Sequence, residues 1–299
     1  MATLREIKRR ISSVKSTEKI TRAMKMVAAA KLRRAQDALT ATRPYSKKIS
    51  ELLRHLVTKI DPTLHPLLQN RDVKRVMVVI ISGDRGMCGA FNSNIIKAAL
   101  DHIHTQLADL LKQPNGVQIV TVGKKVSDYF SKQKYSIYKK YVGLFANLHF
   151  GQARTIAQQM VDAYLSGQCD MVKVIYNEFK SVIQQRIIIE QLLPIPPEQL
   201  PQIKDLHSLS QVDYIYEPSS REIIDNLLPR HLNFQMWHIL LESSTAEEGA
   251  RMTAMNNATD NAQELIRDLT LLYNKARQAS ITKELLEIVS GAEALKKAS

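Results

Sequence analysis

Glycines at Gly83, Gly86 and Gly89 frame Cys88 in the run SGDRGMCGAFN, Ser82 to Asn92, which follows the β-branched run VMVVII, Val76 to Ile81. A glycine-rich turn at a strand end lets backbone amides close on a phosphate, so nucleotide binding is one chemistry open to this segment. The glycine spacing is not G-x-G-x-x-G, and the Lys-Ser/Thr of a phosphate-binding P-loop is missing. A tight strand-to-helix turn is therefore the preferred reading. Cys88 could act as a nucleophile, but nothing local marks a base or an orienting acid, and a small buried thiol is preferred.

The remaining candidate groups are weaker. His102 and His104 stand two apart on an expected helix and point to different faces. His231 and His238 are seven apart with no Asp, Glu or Cys completing a ligand set. Tyr129, Tyr135, Tyr138 and Tyr141 lie among lysines and could stack on single strands, although a sheet edge protected by lysines explains them equally well. No paired carboxylates, G-x-S-x-G or HExxH pattern occurs, so no catalytic, cofactor or metal site is expected.

The elements that would position these groups follow from pattern. Val76 to Ile81 and Val117 to Val122 read as strands, the first buried on both faces. Further strands are expected over about 134–142, 171–176 and 182–190, the last two as a hairpin-like pair. Helices are expected over about 94–112, 124–131 and 152–165. Strand alternating with helix gives an α/β sheet domain over 60–229. The ends differ. Residues 1–59 contain no glycine and one proline, Pro44, and no proline follows Pro229. A helix from about 229 to 294 would run roughly 100 Å at 1.5 Å per residue, too long for an ordinary core helix. Small or apolar residues at Met255, Ala258, Ala262, Leu265, Leu269, Leu272, Ala276 and Ala279 alternate by three and four, the spacing of a coiled-coil seam. Leu4, Ile7, Ile11 and Val14 give a matching stripe, resumed less cleanly through Ile20, Met24, Val27, Leu32, Ala35, Leu39, Ile49, Leu52 and Leu56. The expectation is an antiparallel two-helix coiled coil, 1–59 with 230–299, projecting from the α/β domain.

Charge is unevenly distributed along the chain. Residues 1–59 hold 16 Lys+Arg against 4 Asp+Glu, residues 60–229 hold 18 against 16, and residues 230–299 hold 8 against 9. The net +13 sits essentially on the first helix, which calls for an acidic partner: nucleic acid, anionic lipid or an acidic protein surface. No aromatic residue precedes Tyr45, so base stacking has no platform there. No run of about 18 uncharged apolar residues is present to span a membrane. The N-terminus shows no export signal, and the two cysteines, Cys88 and Cys169, are expected as reduced thiols in a cytoplasm-like compartment. A basic coiled-coil adaptor, a nucleic-acid-binding protein and a nucleotide-binding enzyme remain open at this point.

The stretches KITRAMKMVAAAKLRRAQ (Lys19 to Gln36), RPY (Arg43 to Tyr45), SGDRGMCGAFN, DYIYEP (Asp213 to Pro218), ARMTAMNNATDNA (Ala250 to Ala262) and YNKARQASITKELLEIVSGAEAL (Tyr273 to Leu295) stand in order. Together they resemble the gamma subunit of F-type ATP synthases in its bacterial form, over the whole chain. The resemblance implies a long coiled coil joined to a Rossmann-like α/β domain, acting as a non-catalytic rotor shaft. It implies alpha and beta subunits of the catalytic ring, an epsilon subunit and a ring of c subunits as partners. No nucleic acid, cofactor or inserted membrane segment is implied, and the position is peripheral on the cytoplasmic face of the inner membrane. By the same resemblance, Met24, Lys25, Arg251, Arg277, Gln278 and Thr282 match contacts to beta subunits, and Tyr214, Tyr216 and Glu217 match the foot against the c ring and epsilon. The cysteine-bearing insert of chloroplast members is missing, which removes thiol control. Gly249 stands where the family is richer in alanine, at about 1 kcal/mol of helix propensity.

Overall fold

A computed structural model describes residues 3–59, 65–195, 217 and 219–298. The elements in order are α1 (Leu4–Lys59), β1 (Val76–Ile81), α2 (Phe91–Gln106), α3 (Ala108–Leu111), β2 (Val117–Val122), α4 (Lys124–Ser131), β3 (Ser136–Tyr141), α5 (Phe150–Leu165), β4 (Met171–Phe179), β5 (Gln185–Leu193) and α6 (Ser220–Ala298). Two compact units result, one of residues 1–28 with 252–299 and one of residues 29–251.

In the larger unit the sheet order is β3-β2-β1-β4-β5, with the first four strands parallel and β5 antiparallel to β4. Central β1 is buried at all six positions, as its unbroken β-branched run requires. One face packs α5, the N-terminal part of α6 (Ile224 to Leu240) and the end of α1 (Ile49, Leu53) against Met77, Val79, Ile81, Val174 and Tyr176. The other packs α2 and α4 against Val76, Val78, Ile80 and Ile119. The hairpin loop between β4 and β5 is closed by Ser181, whose N–H meets the Gln184 carbonyl at 3.0 Å. The expected 94–112 helix begins earlier and breaks at Leu107 into α2 and α3.

α6 begins nine residues before Pro229 rather than at it. Ser219 caps it: the Glu222 N–H donates to Ser219 Oγ at 3.2 Å, and Ser219 Oγ reaches Glu222 Oε1 at 3.2 Å. With the start fixed, Pro229 lies in the interior and α6 runs through it, as α1 runs through Pro44. α1 has the same Thr-x-x-Glu box, with Thr3 N–H on Glu6 Oε2 at 2.8 Å and Glu6 N–H on Thr3 Oγ1 at 3.3 Å.

In the smaller unit α1 and α6 pair antiparallel, and the seam departs from the expected one. On α1 the inward positions are Leu4, Ile7, Ile11, Val14, Glu18, Thr21, Lys25 and Ala28, an unbroken three-four alternation. Ile20 and Val27 lie outside it, 59% and 58% exposed. On α6 the inward positions are Met255, Thr259, Ala262, Ile266, Leu269, Tyr273, Ala276 and Ser280, so every second expected position moves by one residue. Leu265 and Leu272 are exposed. Part of the shift has a plain cause: polar side chains, Glu18, Thr21, Lys25, Thr259 and Ser280, occupy seam positions, and an apolar count passes over them.

Candidate functional site

The glycine turn is wired into its own fold. Ser82 N–H donates to the Val122 carbonyl at 2.8 Å, and Ser82 Oγ accepts the Val126 N–H at the start of α4 at 3.0 Å. Asp84 gathers three backbone amides: Lys124 and Gly143 on Oδ1, each at 2.9 Å, and Phe145 on Oδ2 at 3.2 Å. Asn92 returns from α2 to accept the Gly83 N–H at 2.9 Å and to donate to the Arg85 carbonyl at 3.2 Å. These groups, which could have met a phosphate, bond to the chain instead.

Of the three glycines, only Gly89 takes a left-handed backbone (φ 59°), and Met87 shares that conformation (φ 59°). Gly83 serves close approach: a Cβ there would lie 2.6 Å from the Glu247 carboxyl carbon. Gly86 does neither, since a Cβ there would meet nothing nearer than Lys125 at 3.8 Å. Cys88 is buried with Phe91 and Ala246, and Asn92 Nδ2 lies 3.1 Å from its sulfur. Burial first, then the Glu247 charge, pushes its thiol pKa up, which disfavours the nucleophilic thiolate. Cys169 is buried too, its pKa pushed up to about 12 by burial and then by Asp170.

Beside the turn lies a charged cluster that sequence reading did not find. Glu247 is buried and its carboxyl pKa is raised by desolvation, although Arg251 pulls the other way. Arg251 pairs with Glu247 and, at 2.8 Å, with Glu248, and Lys31 of α1 stands 3.8 Å from Glu248. A neighbouring acid, Glu242, accepts the Phe179 N–H at 2.8 Å. No local pattern announces this cluster, because Glu247 gains its meaning from Gly83, 164 positions earlier in the chain.

The histidines stay apart. His102 Nε2 is 3.5 Å from Lys173 Nζ, His104 meets Tyr135 Oη at 2.9 Å, His238 stands 3.7 Å from Glu242, and His231 is buried. Among the described residues no group of three His, Cys, Asp or Glu side chains is placed to hold a metal.

In the smaller unit, hydrogen bonds cross the seam. Glu18 Oε1 accepts from Gln263 at 3.0 Å, Thr21 and Thr259 share a bond at 2.8 Å, and Lys25 Nζ donates to Asn256 Oδ1 at 2.5 Å. Asn256 in turn donates to Asp260 at 2.9 Å. Polar side chains thus meet polar partners, which avoids the cost of burying them unpaired.

The nine residues carried by resemblance are distributed as follows. Met24 and Lys25 are half-buried, and the Lys25 amine is held by Asn256. Arg277, Gln278 and Thr282 are exposed on α6, Thr282 bonding back to the Gln278 carbonyl at 3.0 Å. Arg251 is buried in the acidic cluster, so its guanidinium is engaged within the chain. Glu217 is exposed, and Tyr214 and Tyr216 lie outside the described residues.

A pair of antiparallel terminal helices and a five-stranded α/β unit whose glycine turn closes on itself define a coiled-coil protein with an α/β unit. The chain belongs to the ATP synthase gamma-chain family, whose ATP synthase description matches residues 3–295. It is 54% identical over 296 residues to the ATP synthase gamma chain of Chlorobium phaeobacteroides (strain BS1), covering 99% of each chain. It is 50% identical over 305 residues to that of Chloroherpeton thalassium, covering 100% of each. Among solved structures, the central stalk and c-ring of the Tetrahymena thermophila mitochondrial ATP synthase contains a chain with TM-score 0.57 and 25% identity, covering 80% of this chain and 99% of that one. A chain of the Euglena gracilis mitochondrial enzyme has the same fold, with TM-score 0.67 at 22% identity, covering 98% of this chain and 94% of that one.

Proposed function

We infer that this chain is the central-stalk rotor shaft of an F-type ATP synthase, carrying rotation between a ring of c subunits and the three catalytic beta subunits. The observation that carries the reading is the antiparallel pairing of the two terminal helices by direct hydrogen bonds, in a chain that matches gamma chains from end to end. The subunit itself is non-catalytic. Its contribution is differential contact: one asymmetric surface stabilises a different conformation in each of three identical partners, and turning it passes those conformations round the ring.

Met24, Lys25, Arg277, Gln278 and Thr282 are the residues proposed to meet beta subunits. Arg251, matched to the same partners, is held by Glu247 and Glu248 in the larger unit. Glu217, with Tyr214 and Tyr216, belongs to the foot that meets the c ring and the epsilon subunit. Residues 1–59 and 230–299 act as the shaft and 60–229 as the foot. No helix among the described residues is long and apolar enough to cross a membrane, which is compatible with a peripheral position.

The test is reconstitution with alpha and beta subunits, with a bead attached through the α/β unit. ATP-driven, unidirectional turning of the bead is expected. Steady hydrolysis by an assembled complex in which this chain stays still would remove the rotor reading.

A further inference from the structure

We propose that the open edge of β3, with the start of α4, is a docking surface for an extended acidic segment of a partner protein, added to the sheet as a sixth strand. Among the described residues β3 ends the sheet with β2 beside it, which leaves its outer backbone groups for pairing. The segment 124–140 that carries this edge holds six lysines, Lys124, Lys125, Lys132, Lys134, Lys139 and Lys140, against one acid, Asp128. All six are exposed. The rest of 60–229 holds twelve basic and fifteen acidic side chains, so the region's positive charge is concentrated here.

Edge protection is the competing explanation, since lysines and a bulge keep like strands from pairing. A bulge is present, where the register shifts between Ile119 and Val120 and leaves Tyr138 as the extra residue. Protection accounts for Lys139 and Lys140 on the strand. It does not account for Lys124 and Lys125, which lie off the strand in the first turn of α4 and are exposed.

The apolar side chains point the same way. Tyr138 and Val142 are exposed on or just past the edge, 38% and 52%. Strand alternation puts Lys139 on the face of Tyr141, whose hydroxyl bonds Gln159 of α5, and puts Lys140 on the face of α4. The edge thus offers cations on both faces and a backbone row between them. A second copy of this edge is repelled by such a surface. An extended segment with acids on alternate sides fits it, taking affinity from main-chain bonds and specificity from charge. Lipid headgroups or nucleic acid would meet the charge but have no use for the strand edge.

The probe is an eight-residue peptide of the repeat Glu-Glu-Val-Val, which as a strand carries acids on both faces, added to the full chain while amide exchange is followed residue by residue. Slower exchange across 136–141 on peptide addition is expected. The Lys134→Glu, Lys139→Glu, Lys140→Glu variant should bind at least about tenfold more weakly in this mode. The same peptide N-methylated at alternate amides should bind comparably weakly, since it cannot form the ladder. A Lys139→Arg, Lys140→Arg variant keeps the charge and should retain protection. Protection confined to 4–28, equal binding of the N-methylated peptide, or binding only of phosphatidylglycerol vesicles or single-stranded RNA would each overturn the proposal.

Discussion

Gly83 sits where the Glu247 carboxyl passes. Gly83→Val should destabilise the α/β unit by about 1–3 kcal/mol in urea unfolding, through overpacking against a carboxyl that cannot move without losing Arg251. Adding Glu247→Ala should recover part of that loss, and a double variant as unstable as the single one would place the strain elsewhere. His231 yields a pH prediction. Burial lowers its pKa from 6.5 to about 4, so between those values the unfolded chain binds the extra proton. Stability is therefore full above about pH 6.5 and falls as pH drops toward 4, by about 2 kcal/mol at pH 5. Raised carboxyl pKa values at Glu190 and Glu247 act in the opposite sense, so the contribution is isolated by difference. His231→Leu should show a shallower fall between pH 7 and pH 5 than the parent chain, and identical slopes would refute the assignment. Residue chemistry was partly legible in sequence: a glycine-framed turn with an inert thiol could be read from spacing, and both features stand. Asp84 could not be read as its fastener, nor Glu247 as the carboxyl that limits Gly83, since acids whose partners lie 40 to 164 positions away look like any surface acids.

Helices and strands were more legible than their pairing. Val76–Ile81, Val117–Val122 and Lys124–Ser131 have the bounds their patterns predict, because continuous β-branched runs and a short amphipathic turn admit few alternatives. The seam was half legible. Apolar residues mark it at Ile7, Ile11, Met255 and Leu269, whereas Thr21 and Thr259 conceal it by bonding to each other. Substitutions can test the observed register. Leu272→Gln, on an exposed position, should change stability by less than about 0.5 kcal/mol, whereas Leu269→Gln should cost about 2–3 kcal/mol. Ala262→Leu adds bulk to a buried seam position and should cost about 1–3 kcal/mol. In an assembled complex it should also slow multisite turnover while leaving nucleotide binding at a single beta site intact. Equal costs at 269 and 272 in thermal unfolding would return the seam to its sequence-based register.

On the scale of the whole molecule, charge divides the chain more sharply than fold does, with sixteen of its 42 basic residues in the first 59 positions. Lys8, Arg9, Lys15 and Lys19 are exposed on α1. Reversing these four to glutamate should weaken assembly with alpha and beta subunits, most at low salt, because exposed charges are screened beyond about 10 Å at 0.1 M. Equal recovery of parent and variant complexes at 20 mM and 200 mM salt, read by gel filtration, would exclude an electrostatic role. The long-range seam bonds also bear on how the protein is made. Lys25 and Asn256 are separated by 231 positions, and Glu18 and Gln263 by 245. At roughly 5–20 residues per second, a ribosome leaves the first helix waiting about ten to fifty seconds for the strand of chain that completes it. During that interval Ile7, Ile11 and Val14 face water or a chaperone. The positive charge on the same helix then keeps neighbouring nascent chains on a polysome from joining one another before the right partner emerges.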